Sequence, residues 1–160
     1  MKNILFAVFV ISFSLSLFSQ SVTTTYLSDN GLDGNMFDVV NISTEDLAID
    51  SFDVNIDGAS IAMEVYYKSG TYSGFEGNSA SWTLLGSETV TGAGTDNPTR
   101  LTVGGLTIPV GQTYALYVTT VNGNMNYTNG STSYNDANLT INAGIGIDYS
   151  FGTNYSPRIW

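Results

Sequence analysis

Residues 65–82 read VYYKSGTYSGFEGNSASW. Together with the four residues before them they spell out the local grammar of the chain. Ile61, Met63, Val65 and Tyr67 alternate with Ala62, Glu64, Tyr66 and Lys68, the two-residue period of a half-buried strand. Ser69-Gly70 interrupts that period, and the residues that follow carry Tyr72 and Phe75 between Gly70, Gly74 and Gly77, where the backbone can take a positive φ. Trp82 then opens another strand. The stretch therefore predicts a strand, an aromatic loop and a returning strand. Two roles are open for its rings: covering the open end of a β-sandwich, or forming a ligand-contacting patch of Tyr66, Tyr72 and Phe75. Tyr67 is expected to point inward beside Val65, and Trp82 to lie at the edge of the core.

The same grammar extends in both directions. Residues 22–27 are Thr-rich and β-branched, as in an edge strand, and SDNGLDGN at 28–35 is a turn cluster before a strand at 36–42. From 47 to 57 the apolar positions are Leu47, Ile49, Phe52, Val54 and Ile56, an alternation that slips at Asp50-Ser51 and predicts a β-bulge. Asp53, Asn55 and Asp57 fall on the other, solvated face, and Asp57-Gly58 marks a turn. Further strands are expected at 82–90, at 101–108 with a break at Gly104-Gly105, at 125–128 and at 139–143, with a turn or bulge at 144–146 and another short strand at 148–151. Ile108-Pro109-Val110-Gly111 has the proline and glycine spacing of a type I turn and predicts a hairpin into the alternating Tyr114, Leu116 and Val118. No helical period occurs after the N-terminal apolar run. The fold class is all-β: a two-sheet antiparallel β-sandwich, jelly-roll-like, of about eight to ten strands. Phe37, Phe52, Val54, Ile56, Met63, Val65, Leu116 and Val118 should form its core.

Lys2, an apolar run over residues 4–18 and Ser19-Gln20 have the arrangement of a secretory signal peptide, so residues 1–19 are expected to be removed and the chain exported. The run is short for a bilayer span, which needs roughly 20 residues, and no membrane span is expected after cleavage. Residues 20–160 are enough for one domain. Ending on Ile159-Trp160 within a strand pattern suggests the N-terminal module of a longer protein, or a fragment. Fourteen acidic residues against four basic ones disfavour nucleic acid and anionic lipid as partners. With no cysteine, stability must come from packing alone.

The absence of histidine and cysteine removes the commonest general base, the thiol nucleophile and the usual transition-metal ligands. TGAGTDNP at 91–98 lacks the ending and the helix of a phosphate loop. A glycosidase needs only two carboxylates, so a fragment of a glycoside-active extracellular enzyme is the alternative to a non-catalytic binding, adhesion or structural module. Asp29, Asp33 and Asn35 in the first turn cluster offer oxygen ligands to calcium, although the spacing is not that of an EF-hand; the competing reading is a plain structural turn. For the aromatic patch the expected partner is a neutral glycan or a protein surface, on which rings stack while nearby Asn and Ser supply hydrogen bonds.

Four segments carry a family resemblance: GNMFDV at 34–39, VYYKSG at 65–70 with WTLLG at 82–86, IPVGQTY at 108–114 and SPRIW at 156–160. With these the chain resembles secreted β-sandwich modules of large extracellular bacterial proteins, of the kind found with type IX secretion sorting domains. The resemblance implies a non-catalytic accessory or adhesion-type domain, and it carries no site residue with it.

Overall fold

The computed structural model describes residues 20–28, 30–130, 132–152 and 155–157; the expected signal peptide lies outside them. In chain order the strands are β1 (Asn30–Leu32), β2 (Gly34–Asn41), β3 (Leu47–Ile49), β4 (Phe52–Asn55) and β5 (Ile61–Ser69). A single 3-10 turn, Ser79–Ser81, precedes β6 (Thr83–Val90), β7 (Pro98–Leu101), β8 (Leu106–Ile108) and β9 (Thr113–Thr120). Then come β10 (Met125–Tyr127), β11 (Ser133–Asn135), β12 (Leu139–Ile147) and β13 (Tyr155–Pro157). The described chain contains no α-helix.

All ladders are antiparallel, and the central ones are nested. Ile61 faces Val90, Asn55 faces Pro98, Ile49 faces Leu106, Val40 faces Thr113 and Gly34 faces Thr119. Every one of these pairs is centred on the same few residues, 75 to 78, in the aromatic loop. The chain from β2 to β9 is thus one long hairpin with that loop at its tip. Rolled up, it places β2, β9, β5 and β6 in one sheet and β3, β4, β7 and β8 in the layer opposite, which is the jelly-roll arrangement. The large sheet runs β11-β12-β2-β9-β5-β6, with β13 also beside β12. The opposing layer is narrower: β3 pairs β8, β4 pairs β7, and an isolated Ile56–Met125 bridge leads on to the β1-β10 pair.

Between the layers lies the main core. Val54, Ile56, Met63, Val65, Leu101, Ile108, Leu116 and Val118 are fully buried there, with Phe37 and Phe52 packed among them. Complete burial of a side chain of this size is worth about 1.5–3 kcal/mol, so these positions dominate the favourable side of folding. All eight expected core residues are in this cluster, and Tyr67 packs into it, stacked on Tyr114 at 6.3 Å.

The slip at Asp50-Ser51 is a full break between β3 and β4, and their partners break opposite it, between β7 and β8. Gly104 makes the crossing feasible. A Cβ there would lie 2.2 Å from the Asp50 carbonyl oxygen.

Several local expectations are corrected. Residues 22–27 pair in no sheet and are held by side-chain bonds. Most of the 28–35 cluster is strand, because Asn30, Gly31 and Leu32 pair with β10 and Gly34 and Asn35 begin β2. The Pro109 turn does not make a hairpin: β8 pairs with β3 while β9 joins β2 and β5, so the turn carries the chain between layers. Gln112 N–H bonds the Pro109 carbonyl with Gly111 at φ 71°, a type II geometry with proline first. Asn55 is buried, since β4 is covered at that point by Ser28 and Asp96. The expected short strand at 148–151 is a turn, whereas the bulge expected at 144–146 is present, as a register shift in β12 between Asn142 and Ile145. Among the described residues thirteen strands replace the expected eight to ten, because interrupted strands count twice and several are three residues long.

Candidate binding cleft

The aromatic loop folds back over the outer face of the large sheet and does not cap an open end. Gly70 N–H bonds Thr113, and a run of tight turns (Phe75 to Tyr72, Asn78 to Phe75, Ser81 to Asn78, Trp82 to Ser79) curls the loop down. Tyr72 N–H donates to Asp38 Oδ1 at 3.0 Å, and Trp82 Nε1–H donates to the Phe75 carbonyl at 3.0 Å. Beneath the loop is a second core of Met36, Trp82, Ala115, Tyr117, Ile145 and Ile147, with Tyr66, Tyr72 and Phe151 packed against it. The Phe151 ring sits 5.0 Å from Tyr117 and 5.1 Å from Tyr66, both edge-on. Trp82 is buried in this second core, not at the sandwich edge.

Of the three expected ligand-contacting rings, then, Tyr66 and Tyr72 are packed on one another's neighbours. Tyr66 also donates to Glu64 Oε2 at 2.7 Å, and burial followed by that hydrogen bond raises its phenol pKa well above the usual range. Burial raises Tyr72 as well, with Asp38 and Glu76 adding to it. Only Phe75 shows much of its ring, at 37% exposure, and Lys68 Nζ sits 4.1 Å from its centroid. Asp38, half-buried under the loop, has its carboxyl pKa raised by burial against the lowering effect of bonds from Thr71 and Tyr72.

The expected calcium ligands are not gathered on a turn. Asp29 lies outside the described residues. Asp33 Oδ2 accepts from Tyr149 N–H at 2.8 Å, and Asn35 is wholly buried in β2 opposite Val118. Among the described residues no three acidic side chains cluster as metal ligands would.

A separate concavity lies on the inner face of the sandwich. Because the second layer is narrower than the large sheet, the inner surface of β2 and β12 extends beyond it. A cleft of about 1020 Å³ opens there. Deep in it lie the buried Phe37, Val39 and Leu116, its accessible apolar surface is the half-buried Leu139 and Ile141, one wall is residues 47–53, and the other is the N-terminal segment 20–26. That segment is a strap fastened by side chains. Gln20 meets Asn138, Thr25 Oγ1 lies 2.8 Å from the Tyr134 hydroxyl, Leu27 N–H donates to Thr128 Oγ1, and Ser28 Oγ donates to Asp96 Oδ1 at 2.7 Å.

The rim is polar. Arg100 Nη2 donates to Asp53 Oδ2 at 3.0 Å, Nε closes the second arm of the pair, and Nη1 reaches Ser51 Oγ at 3.3 Å. Tyr26 of the strap stands beside them, its phenol pKa raised by burial and then by the Asp53 charge. Glu45, Asp46, Asp50 and Asp96 complete the edge. An apolar floor with a few convergent polar groups, on the scale of 300–1,000 Å³, is the usual form of a ligand site. None of these residues stands out in sequence. Arg100, the lone basic residue between Lys68 and Arg158, is the one signal that singles out the region, and its meaning depends on a pairing partner 47 residues away.

No helix among the described residues is long and apolar enough to cross a membrane. No family model matches the chain. Nor does any curated protein match it.

Proposed function

We propose that this chain is an exported, non-catalytic binding module that takes its partner in the cleft between the large sheet, residues 47–53 and the strap. The observation that carries the reading is the mismatch in layer width: apolar side chains of β2 and β12 line an open cleft of about 1020 Å³ rimmed by hydrogen-bonding groups. The secretory leader pattern, the resemblance to accessory modules of large extracellular proteins and the lack of histidine and cysteine favour binding over catalysis. Neutral glycans and extended protein segments both suit such a surface, whereas the net charge of −10 disfavours anionic ligands.

The test is a glycan and peptide array probed with the protein and with Ala48→Trp, since Ala48 is exposed and borders the cleft, so that an indole fills its mouth with little cost to the fold. Binding lost in Ala48→Trp but kept in Phe75→Ala supports the cleft. Binding abolished by Phe75→Ala and untouched by Ala48→Trp would move the site to the aromatic loop. Release of reducing ends from a polysaccharide would overturn the non-catalytic reading.

A further inference from the structure

Among the described residues β3 pairs only with β8, so its other edge, continuing through residues 50–53, carries no ladder, and residues 47–53 border the cleft. An unpaired edge beside an apolar groove recognises one kind of ligand through its backbone: an extended polypeptide. The dimensions agree. A seven-residue strand occupies about 4.8 Å along the sheet, about 10 Å between layers and about 23 Å in length, roughly 1,100 Å³. The cleft holds about 1020 Å³.

Charge narrows the choice further. Four carboxylates, Glu45, Asp46, Asp50 and Asp96, stand on the rim beyond the Asp53–Arg100 pair, and among the described residues no second cation borders the cleft. The strap, although it has the Thr- and Val-rich composition of a strand, makes no ladder with residues 47–53 and leaves the edge open.

Building on the cleft assigned above, we infer that it accepts an extended, basic polypeptide segment from a partner, which adds as a strand to the β3-β4 edge and lays alternate side chains on the half-buried Leu139 and Ile141. The added strand widens the narrower layer until it matches the large sheet. Its outward side chains meet the acidic rim, so lysine or arginine at those positions is favoured at low ionic strength.

The test uses a synthetic nine-residue peptide of alternating valine and threonine with a lysine at each end, beside the same peptide ended by glutamates and one with a central proline. The lysine peptide is expected to bind at least about ten-fold more tightly than either control, to lose about ten-fold on Asp50→Lys, and to slow amide exchange within residues 47–53. Equal binding of the three peptides, no binding at millimolar concentration, or binding without new protection of residues 47–53 overturns the inference. So does full protection of those amides in the free protein, because the strap would then already fill the edge. If the peptides fail while an array glycan binds and Ala48→Trp abolishes it, the cleft stands as a site and only strand addition falls. If Ala48→Trp leaves every interaction intact, the cleft reading falls with it.

Discussion

Phe151 is the sharpest probe of the outer aromatic core. Its ring touches Tyr66, Tyr117 and Trp82 at 5.1, 5.0 and 5.9 Å, yet its backbone has φ 56°, the left-handed region that side chains other than glycine avoid. Truncation to alanine forfeits burial of a half-covered ring, about 1.5 kcal/mol, and the ring pairing beyond burial, about 1 kcal/mol, while keeping the backbone strain. Truncation to glycine loses the same contacts but relieves the left-handed cost of about 1–2 kcal/mol, against which the extra freedom of the unfolded chain sets about 0.4–1 kcal/mol. Phe151→Ala is therefore expected to cost about 2.5 kcal/mol and Phe151→Gly about 2 kcal/mol, an inversion of the usual order in which glycine is the worse replacement. For a domain of this size that is a fall in Tm of about 9 °C and about 7 °C respectively. Thermal unfolding followed by far-ultraviolet circular dichroism, with urea titration for the free energies, measures both. A cost below about 1 kcal/mol for alanine would show that the outer cluster contributes little to the fold. Glycine costing more than alanine would refute the strain assigned to this backbone.

Two further predictions follow from the same packing. Burial pushes the Tyr117 phenol up to about 12 and raises Tyr26, Tyr66 and Tyr72 as well, so their neutral forms contribute stability that is fully present below the unfolded value near 10 and is lost as pH rises from about 10 toward 12. Phenolate absorbance and loss of strand signal should rise together in that window; tyrosines that titrate near 10 with the sheet intact would contradict it. Gly104→Ala forces a methyl to within 2.2 Å of a backbone oxygen that cannot swing aside, so it should cost about 2–3 kcal/mol, whereas Gly105→Ala, with φ 88° and open space around it, should cost only about 1 kcal/mol. Urea midpoints of the two variants give the comparison, and equal costs would mean that the β3-β4 crossing can relax.

What the sequence discloses here is period and punctuation. Phe37, Val54, Met63, Val65, Leu116 and Val118 lie in the main core because alternation assigns each to one sheet face, and the breaks at Asp50-Ser51 and Gly104-Gly105 are both visible as local slips. That these two breaks face one another is invisible, because pairing is set by contacts between residues more than forty positions apart. The Pro109 turn misleads for the same reason: its residues specify a reversal of the chain and say nothing about which strand the next one joins. Asn35 and Asn55 read as surface residues by type, yet they are buried because strands from distant parts of the chain cover them. The aromatic loop was legible as a loop, but which side of the sheet it covers depends on Asp38 and Thr113, neither of which adjoins it in sequence. A cleft is still less legible, since it exists only where one layer stops short of the other.

The two faces of the large sheet are linked by that shortfall. An antiparallel sheet as wide as this one would ordinarily need a layer of equal width to hide its apolar face, and the layer made by β3, β4, β7 and β8 is not wide enough. β12, only half-covered along its first five residues, and its neighbour β2 are fastened from the other side: Met36, Ile145 and Ile147 project outward into the second core, where Tyr72 of the loop closes over Gly144 on the β12 bulge. Gly144 has no room for a Cβ, which would meet the Met36 carbonyl at 2.0 Å and the Tyr72 ring at 2.8 Å, so the loop, the bulge and β2 are locked together at one point. The hairpin tip that organises the jelly roll thus also anchors β2 and the half-covered β12 beside the cleft. A sheet so anchored on its outer face can leave Leu139 and Ile141 half-covered beside a cleft without losing its register, which is the geometry that the proposed binding role requires.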